Sequence, residues 1–304
     1  MADLFHRIEK LSAFAFIVSS MLGMGLSFSL SAILASMCDI RLLLRALGLN
    51  FILAPALAWL LTVMIPLRRG YAVGLLLLGG AAGAPFLPVL VKTARGALVL
   101  SVGLMALLTV GTLFFMPLAL PLIIPGLQAD PWSIARPLIL LIMLPLIIGM
   151  LTAARIPSLA VRAGLIFMKI GTVFLLLFFV LLIALNVHVL LGVVGSGAIL
   201  IVVLYVMALF AAGWMFGGAE PGVRGVLGLG TSARNFGAAL VPAVSNFRDP
   251  ATVMLIVSAI VCVVISFIAA GWLRQRIVLA AELQTETPTK LKHRSSTDGV
   301  GTNT

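Results

Sequence analysis

Residues 228–240 read GLGTSARNFGAAL. This stretch puts two hydroxyls, an amide and a permanent positive charge side by side, at Thr231, Ser232, Asn235 and Arg234. It lies in the middle of an otherwise apolar run. An unpaired arginine at bilayer depth costs about 3 kcal/mol or more on insertion scales. Three kinds of partner would offset that cost: carbonyls freed where a helix breaks, a carboxylate folded in from a loop, or a bound anion. The chemistry on offer is hydrogen bonding and charge recognition, and no bond-making is implied. All nine carboxylates, from Asp3 to Asp298, fall outside the apolar runs, so no acid is available at mid-membrane. The histidines are His6, His188 and His293, and they lie in the tails or at the end of a run. An intramembrane enzyme would need paired acids, a nucleophile with its base, or a metal set. These runs supply none of them, so the chain reads as a non-enzyme with no cofactor and no metal site.

Composition agrees. The chain has 304 residues, 62% hydrophobic and 10% charged, against about 25% charged in a soluble domain. This is an all-α polytopic membrane protein, and its partners are the lipid bilayer and a small-molecule anionic substrate. The net charge of +11 is spread over short loops without interleaved aromatics, so nucleic acid is not a partner. Cys38 and Cys262 form no motif and read as small buried apolar residues. The oligomeric state is not legible.

Nine apolar runs are long enough to span, at 12–36, 47–66, 71–92, 97–125, 134–154, 163–188, 195–217, 222–245 and 251–273. A polar lead, 1–11, precedes them. A polar tail, 274–304, follows and is expected to be disordered. The transporter domain is then 12–273, with a first repeat over 12–125 and a second over 134–273. The loop cations set the orientation. With the N-terminus outside, Arg41, Arg45, Lys92, Arg95, Arg155, Arg162, Arg224, Arg274 and Arg276 face the cytoplasm. Arg7, Lys10, Arg68, Arg69, Arg136 and Arg248 face outside. The asymmetry places the N-terminus outside and the C-terminus in the cytoplasm.

Two runs are irregular. The third reads GLLLLGGAAGAPFLPVLVKTARG, with Gly79, Gly80, Gly83, Pro85 and Pro88. The eighth carries Gly228, Gly230, Gly237 and Pro242. Laid over each other, Gly74 falls on Gly225, Gly79 on Gly230 and Ala82 on Ala233. Paired Gly/Pro-interrupted spans at corresponding positions of two halves mark inverted-repeat transporters, whose sites lie where the breaks meet at the midplane. Spans three and eight are therefore expected to be broken helices. The backbone of Gly79, Gly80, Gly83, Pro85, Pro88 and Gly237 would form the breaks.

MLGMGLSFSL (21–30), residues 74–107 and GTSARNFGAALVPA (230–243) resemble the bile acid:sodium symporter superfamily, in order and spacing over about residues 12–273. The resemblance implies a nine-helix member, with a core domain holding two crossing broken helices and a panel domain that moves against it. It implies a multi-pass protein of a bacterial cytoplasmic membrane. It also implies where sodium ligands would stand. Ser101 and Asn235 match such positions, whereas Met105 replaces a threonine, Leu87 and Pro88 replace a Ser-Asn pair, Gly230 replaces a glutamate and Arg234 a glutamine. Both sodium sites read as dismantled, although sodium stays open as a coupling ion. The leading expectation is a secondary transporter of a small organic anion by alternating access, sodium-independent, with Arg234 in place of a bound cation. Arg234, Asn235, Ser232 and Thr231 are its candidate substrate residues, and Ser101, Asn235 and Gly230 its ion-site remnants. The alternatives are a sodium-coupled symporter with rearranged sites and a non-transporting sensor or subunit.

Overall fold

The computed structural model describes residues 2–27, 39–124, 131–185, 187–247 and 249–297. Cys38, Arg248 and the end of the first expected span lie outside them. Among the described residues every regular element is helical. In chain order these are α1 (Ala2–Ser27), α2 (Ile40–Gly48), a π turn (Leu49–Leu53), α3 (Ala54–Met64), α4 (Arg69–Gly80), α5 (Leu87–Thr93) and α6 (Leu98–Ile123). Then come α7 (Pro131–Leu138), a second π turn (Ile139–Met143), α8 (Leu144–Arg155), α9 (Pro157–Leu185), α10 (Val187–Val194), α11 (Ala198–Phe216), α12 (Pro221–Ser232), α13 (Phe236–Asn246) and α14 (Asp249–Thr297).

Among the described residues, seven helical stretches are long and apolar enough to cross a membrane: Leu4–Ser27, Ile40–Met64, Leu98–Ile123, Pro131–Arg155, Pro157–Phe178, Ala198–Phe216 and Pro250–Ile277. Two of these are interrupted internally, each by a π turn just ahead of a proline. Pro55 follows the turn at 49–53, and Pro145 the turn at 139–143. Proline has no N–H to give the preceding turn, and its ring crowds the carbonyl four residues back. A local widening relieves that crowding.

The expected spans at 71–92 and 222–245 are not among the seven, and the reason is geometric. Each is cut into two short helices. In the first, α4 stops at Gly80 and α5 starts at Leu87; in the second, α12 stops at Ser232 and α13 starts at Phe236. Two helices extend past the expected spans. The polar lead is not separate from the first span, because α1 is helical from Ala2, with His6 and Glu9 paired at 3.3 Å one turn apart. The last helix also does not end near residue 273. It continues to Thr297.

Packing sorts the helices into two groups. The first is α1, α8 and α9, which lie along one another. Small residues set the spacing: a Cβ on Gly25 would run into the Leu146 carbonyl, and one on Gly149 would lie 2.6 Å from the Leu22 carbonyl. The second group holds α3–α6 and α11–α14, with α4 against α14 and α12 against α11. The groups meet where α1 touches α13, and where α7, which leads into α8 through the second π turn, touches α13 and α6.

Candidate functional site

The site is built where the two interrupted helices touch. The Asn235 N–H donates to the Ala81 carbonyl at 3.0 Å, backbone to backbone, joining one break to the other. Each break leaves carbonyls at the end of its first half-helix without an N–H one turn on. What satisfies them differs between the two.

At the first break, helix α6 lies alongside and lends two hydroxyls. Thr112 Oγ1 accepts from the Ala82 N–H at 2.9 Å and donates to the Ala82 carbonyl at 3.1 Å. The Thr109 hydroxyl is shared between the carbonyls of Met105, at 2.8 Å, and Gly83, at 3.1 Å. Gly83 has φ +82, in the left-handed region. A Cβ there would lie 2.5 Å from the Thr109 backbone nitrogen and 2.9 Å from the Met105 carbonyl. Only glycine supplies both the turn and the close approach.

At the second break Arg234 folds inward and is fully buried. Its Nη2 donates to the Gly79 carbonyl at 2.6 Å and its Nε to the Leu78 carbonyl at 3.1 Å. Its Nη1 donates to Asn50 Oδ1 at 2.8 Å and to the Thr231 carbonyl at 3.3 Å. Asn50 belongs to the first π turn and is aimed by its own Nδ2, which donates to the Ala46 carbonyl at 3.0 Å. The guanidinium is thus enclosed by four oxygens. No carboxylate is among them. Helix ends supply the compensating charge. Leu78 and Gly79 are the last turn of α4, and Thr231 is in the last turn of α12. Each helix C-terminus is equivalent to about half a negative charge, so two of them roughly balance one guanidinium. Of the three partners open to Arg234 on sequence grounds, the freed carbonyls are the ones it has.

The neighbouring polar residues are turned into the backbone. Thr231 Oγ1 donates to the Leu227 carbonyl at 2.7 Å, and Ser232 Oγ to the Gly228 carbonyl at 3.0 Å. Asn235 caps α13, its Oδ1 accepting from the Ala238 N–H at 3.0 Å, while its Nδ2 is buried without a partner. Ser101 Oγ donates to the Leu98 carbonyl at 2.6 Å within its own helix. A Cβ on Gly230 would meet side-chain carbons of Leu104 at 3.0 Å and Leu87 at 3.3 Å. Gly230 is therefore walled by leucines.

A cavity of about 210 Å³ opens beside the crossing, lined by Phe16 and Ser20 of α1, Met168, Thr172 and Leu175 of α9, Ala259 and Val263 of α14, and residues of both breaks. The break residues are Pro85, Phe86 and Val89 on one side and Phe236 and Gly237 on the other. Of the residues singled out in the sequence, Pro85 and Gly237 line this cavity. Gly79, Gly80, Gly83 and Pro88 shape the breaks without lining it. Thr231, Ser232, Arg234 and Asn235 come together at the crossing, and they too are absent from its lining.

Asn50, Thr109, Thr112 and Cys262 were not singled out as site residues. Asn50 is an amide in an apolar run, and Thr109 and Thr112 are hydroxyls three residues apart on one helix face. Those signals were readable, but they named no partner. Cys262 reaches the second break, with Sγ 3.3 Å from the Ser232 carbonyl, a placement that needs the fold.

Among curated proteins, no match to the chain is found. A family model, that of the sodium bile acid symporter family, matches residues 14–193, which takes in the second half of α1, the first break and the cavity-lining part of α9. That is more than half of the chain, and this multi-pass membrane protein belongs to the sodium bile acid symporter family, a family of transporters and not of enzymes.

Proposed function

We propose that the protein is a sodium-independent secondary transporter of a small organic anion with a largely apolar body. Nine spans, two of them the broken helices α4–α5 and α12–α13, would form two inverted repeats. The group α1, α8 and α9, with α7, would act as a panel rocking against the rest. Substrate would sit in the cavity between them, with the N-terminus of the chain outside and its C-terminus in the cytoplasm.

One observation carries the reading: the two kinds of half-helix end are kept apart. The C-terminal ends of α4 and α12 close on Arg234. The N-terminal ends of the second halves, at Phe86 and at Phe236–Gly237, border the cavity. The first arrangement is a cation site already filled by a side chain, so no sodium ion is required to hold the crossing. The second presents positive helix ends to whatever enters, which favours an anionic group. The rest of the lining is apolar save for the hydroxyls of Ser20 and Thr172, which suits a hydrophobic body. Arg234 then serves transport as a fixed counter-charge that keeps the breaks crossed. Direct substrate contact by Arg234, Asn235, Ser232 or Thr231 would need the crossing to open during the cycle.

The test is uptake into proteoliposomes, screening small carboxylates, sulfonates and sterol acids. The expected flux is saturable and unchanged when a sodium gradient is replaced by potassium. A steep sodium dependence would restore the symporter alternative and remove the role given to Arg234. Binding without flux would favour a sensor or subunit.

A further inference from the structure

Away from the crossing, four helix ends gather at the side that the loop charges assign to the cytoplasm. They are the last turn of α2, which carries Arg45, the end of α11, the start of α12 and the end of the apolar part of α14. They carry a ladder of cations and indoles. The Arg224 guanidinium carbon stands 4.4 Å over the Trp214 ring, and Arg224 Nε donates to the Trp214 carbonyl at 3.0 Å. Trp214 meets Trp272 edge to face, with centroids 5.5 Å apart. Arg276 stands 4.4 Å over Trp272. Arg45 reaches the same end, its Nη1 donating to the Phe216 carbonyl at 3.3 Å.

Two features set this cluster apart from scattered loop cations. Stacking fixes the planes of two guanidiniums, so they present donors at little further entropic cost. And among the described residues no carboxylate lies within 4.0 Å of Arg45, Arg224 or Arg276. Three like charges are thus held on one small surface, and of the two carboxylates at these ends Asp39 is taken up in capping α2 and Glu220, just ahead of α12, makes no ion pair with any of the three. The surface also lies level with lipid. Indoles favour the headgroup region, and Met215 and Phe216 beside them are 72% and 55% exposed.

We propose that the ladder binds the phosphate of an anionic phospholipid of the cytoplasmic leaflet, bridged by Arg224 and Arg276 and approached by Arg45. The acyl chains would lie along Met215 and Phe216. Guanidinium–phosphate pairing is charge-assisted, and basic pockets between spans on this side suit anionic headgroups. A soluble anion would gain the charge contacts but not the apolar ones.

The experiment uses the full chain in detergent. Phosphatidylglycerol or phosphatidylcholine is titrated in, retained lipid is read by native mass spectrometry, and melting temperature is read in parallel. The wild type should retain phosphatidylglycerol about tenfold better than phosphatidylcholine or more. Arg224→Gln/Arg276→Gln should lose most of that preference. Arg276→Gln alone, at an exposed position, should lose part of it without risk to folding. Arg155→Gln, a cation at another span end, should keep it. Equal loss in Arg155→Gln would reduce the effect to general surface charge and overturn the proposal. So would protection by inorganic phosphate equal to that by phosphatidylglycerol, or an unchanged preference in the double variant.

Discussion

The two breaks solve one problem with different chemistry. Each leaves backbone groups unsatisfied in a place without water, where an unpaired group costs several kcal/mol. The first break answers with neutral hydroxyls from a neighbouring helix, Thr109 and Thr112, and a glycine that lets the backbones close up. The second answers with a full charge that reaches across to the first. The hydroxyl solution is local, because the Thr109 and Thr112 hydroxyls bond the backbone of the first break and of their own helix. The arginine solution is a tie between halves, since one side chain bonds the end of α4, the end of α12 and the π turn carrying Asn50. Removing an arginine contact should therefore loosen the crossing itself, whereas removing a threonine contact should loosen one edge.

The largest effect follows from that difference. Arg234→Ala strands the carbonyls of Leu78, Gly79 and Thr231 and the Asn50 amide oxygen. At about 1–3 kcal/mol for each unsatisfied buried group, partly offset because a buried charge is also removed, the expected loss is about 4 kcal/mol. A drop in melting temperature and in transport should appear together. Arg234→Lys keeps the charge but not the planar fork, so it should recover part of the stability. Added sodium should not rescue Arg234→Ala, because Gly230 offers no carboxylate to balance the ion. Rescue by sodium would make the second break an ordinary ion site and end the contrast drawn above.

The next effect tests the first break. Gly83→Ala puts a side chain at φ +82 and against Thr109. The left-handed conformation costs about 1–2 kcal/mol and the overpacking about 1–3 kcal/mol. An expected loss of about 3 kcal/mol should come with little change in sodium response. A Gly83→Ala protein as stable as the wild type would mean that the break at 81–86 is not held tightly by α6.

How legible this was depended on which physics carried the signal. The long helices could be read because a span needs only apolar length, and the breaks because glycine and proline punctuate the pattern at 79–88 and 228–242. Arg234 could be recognised as anomalous from its depth alone. Its partners could not be read, because Leu78, Gly79 and Thr231 act through carbonyls that every residue possesses, and which carbonyl is free depends on where a helix stops. Asn50 lies far from Arg234 along the chain, and its π turn was invisible in a run that looked smooth. Polar residues could be picked out by type, whereas the cavity lining could not, because side chains such as Phe16, Met168 and Leu175 have the types of ordinary core.

The smallest effect is the sharpest check on the division of labour. Thr112→Val is close to isosteric, so it removes the two hydrogen bonds to Ala82 without emptying space. The lost pairing leaves the Ala82 N–H and carbonyl to find other partners, and the expected cost is about 1–2 kcal/mol. Ala82 adjoins Ala81, whose carbonyl receives the Asn235 N–H. If the threonine acts only on its own edge, Thr112→Val and Arg234→Lys should add within about 0.5 kcal/mol in the double variant, as independent sites do. A coupling of more than about 1 kcal/mol would show that the two breaks form one unit, with the hydroxyl holding Ala81 in place for the arginine's half of the crossing.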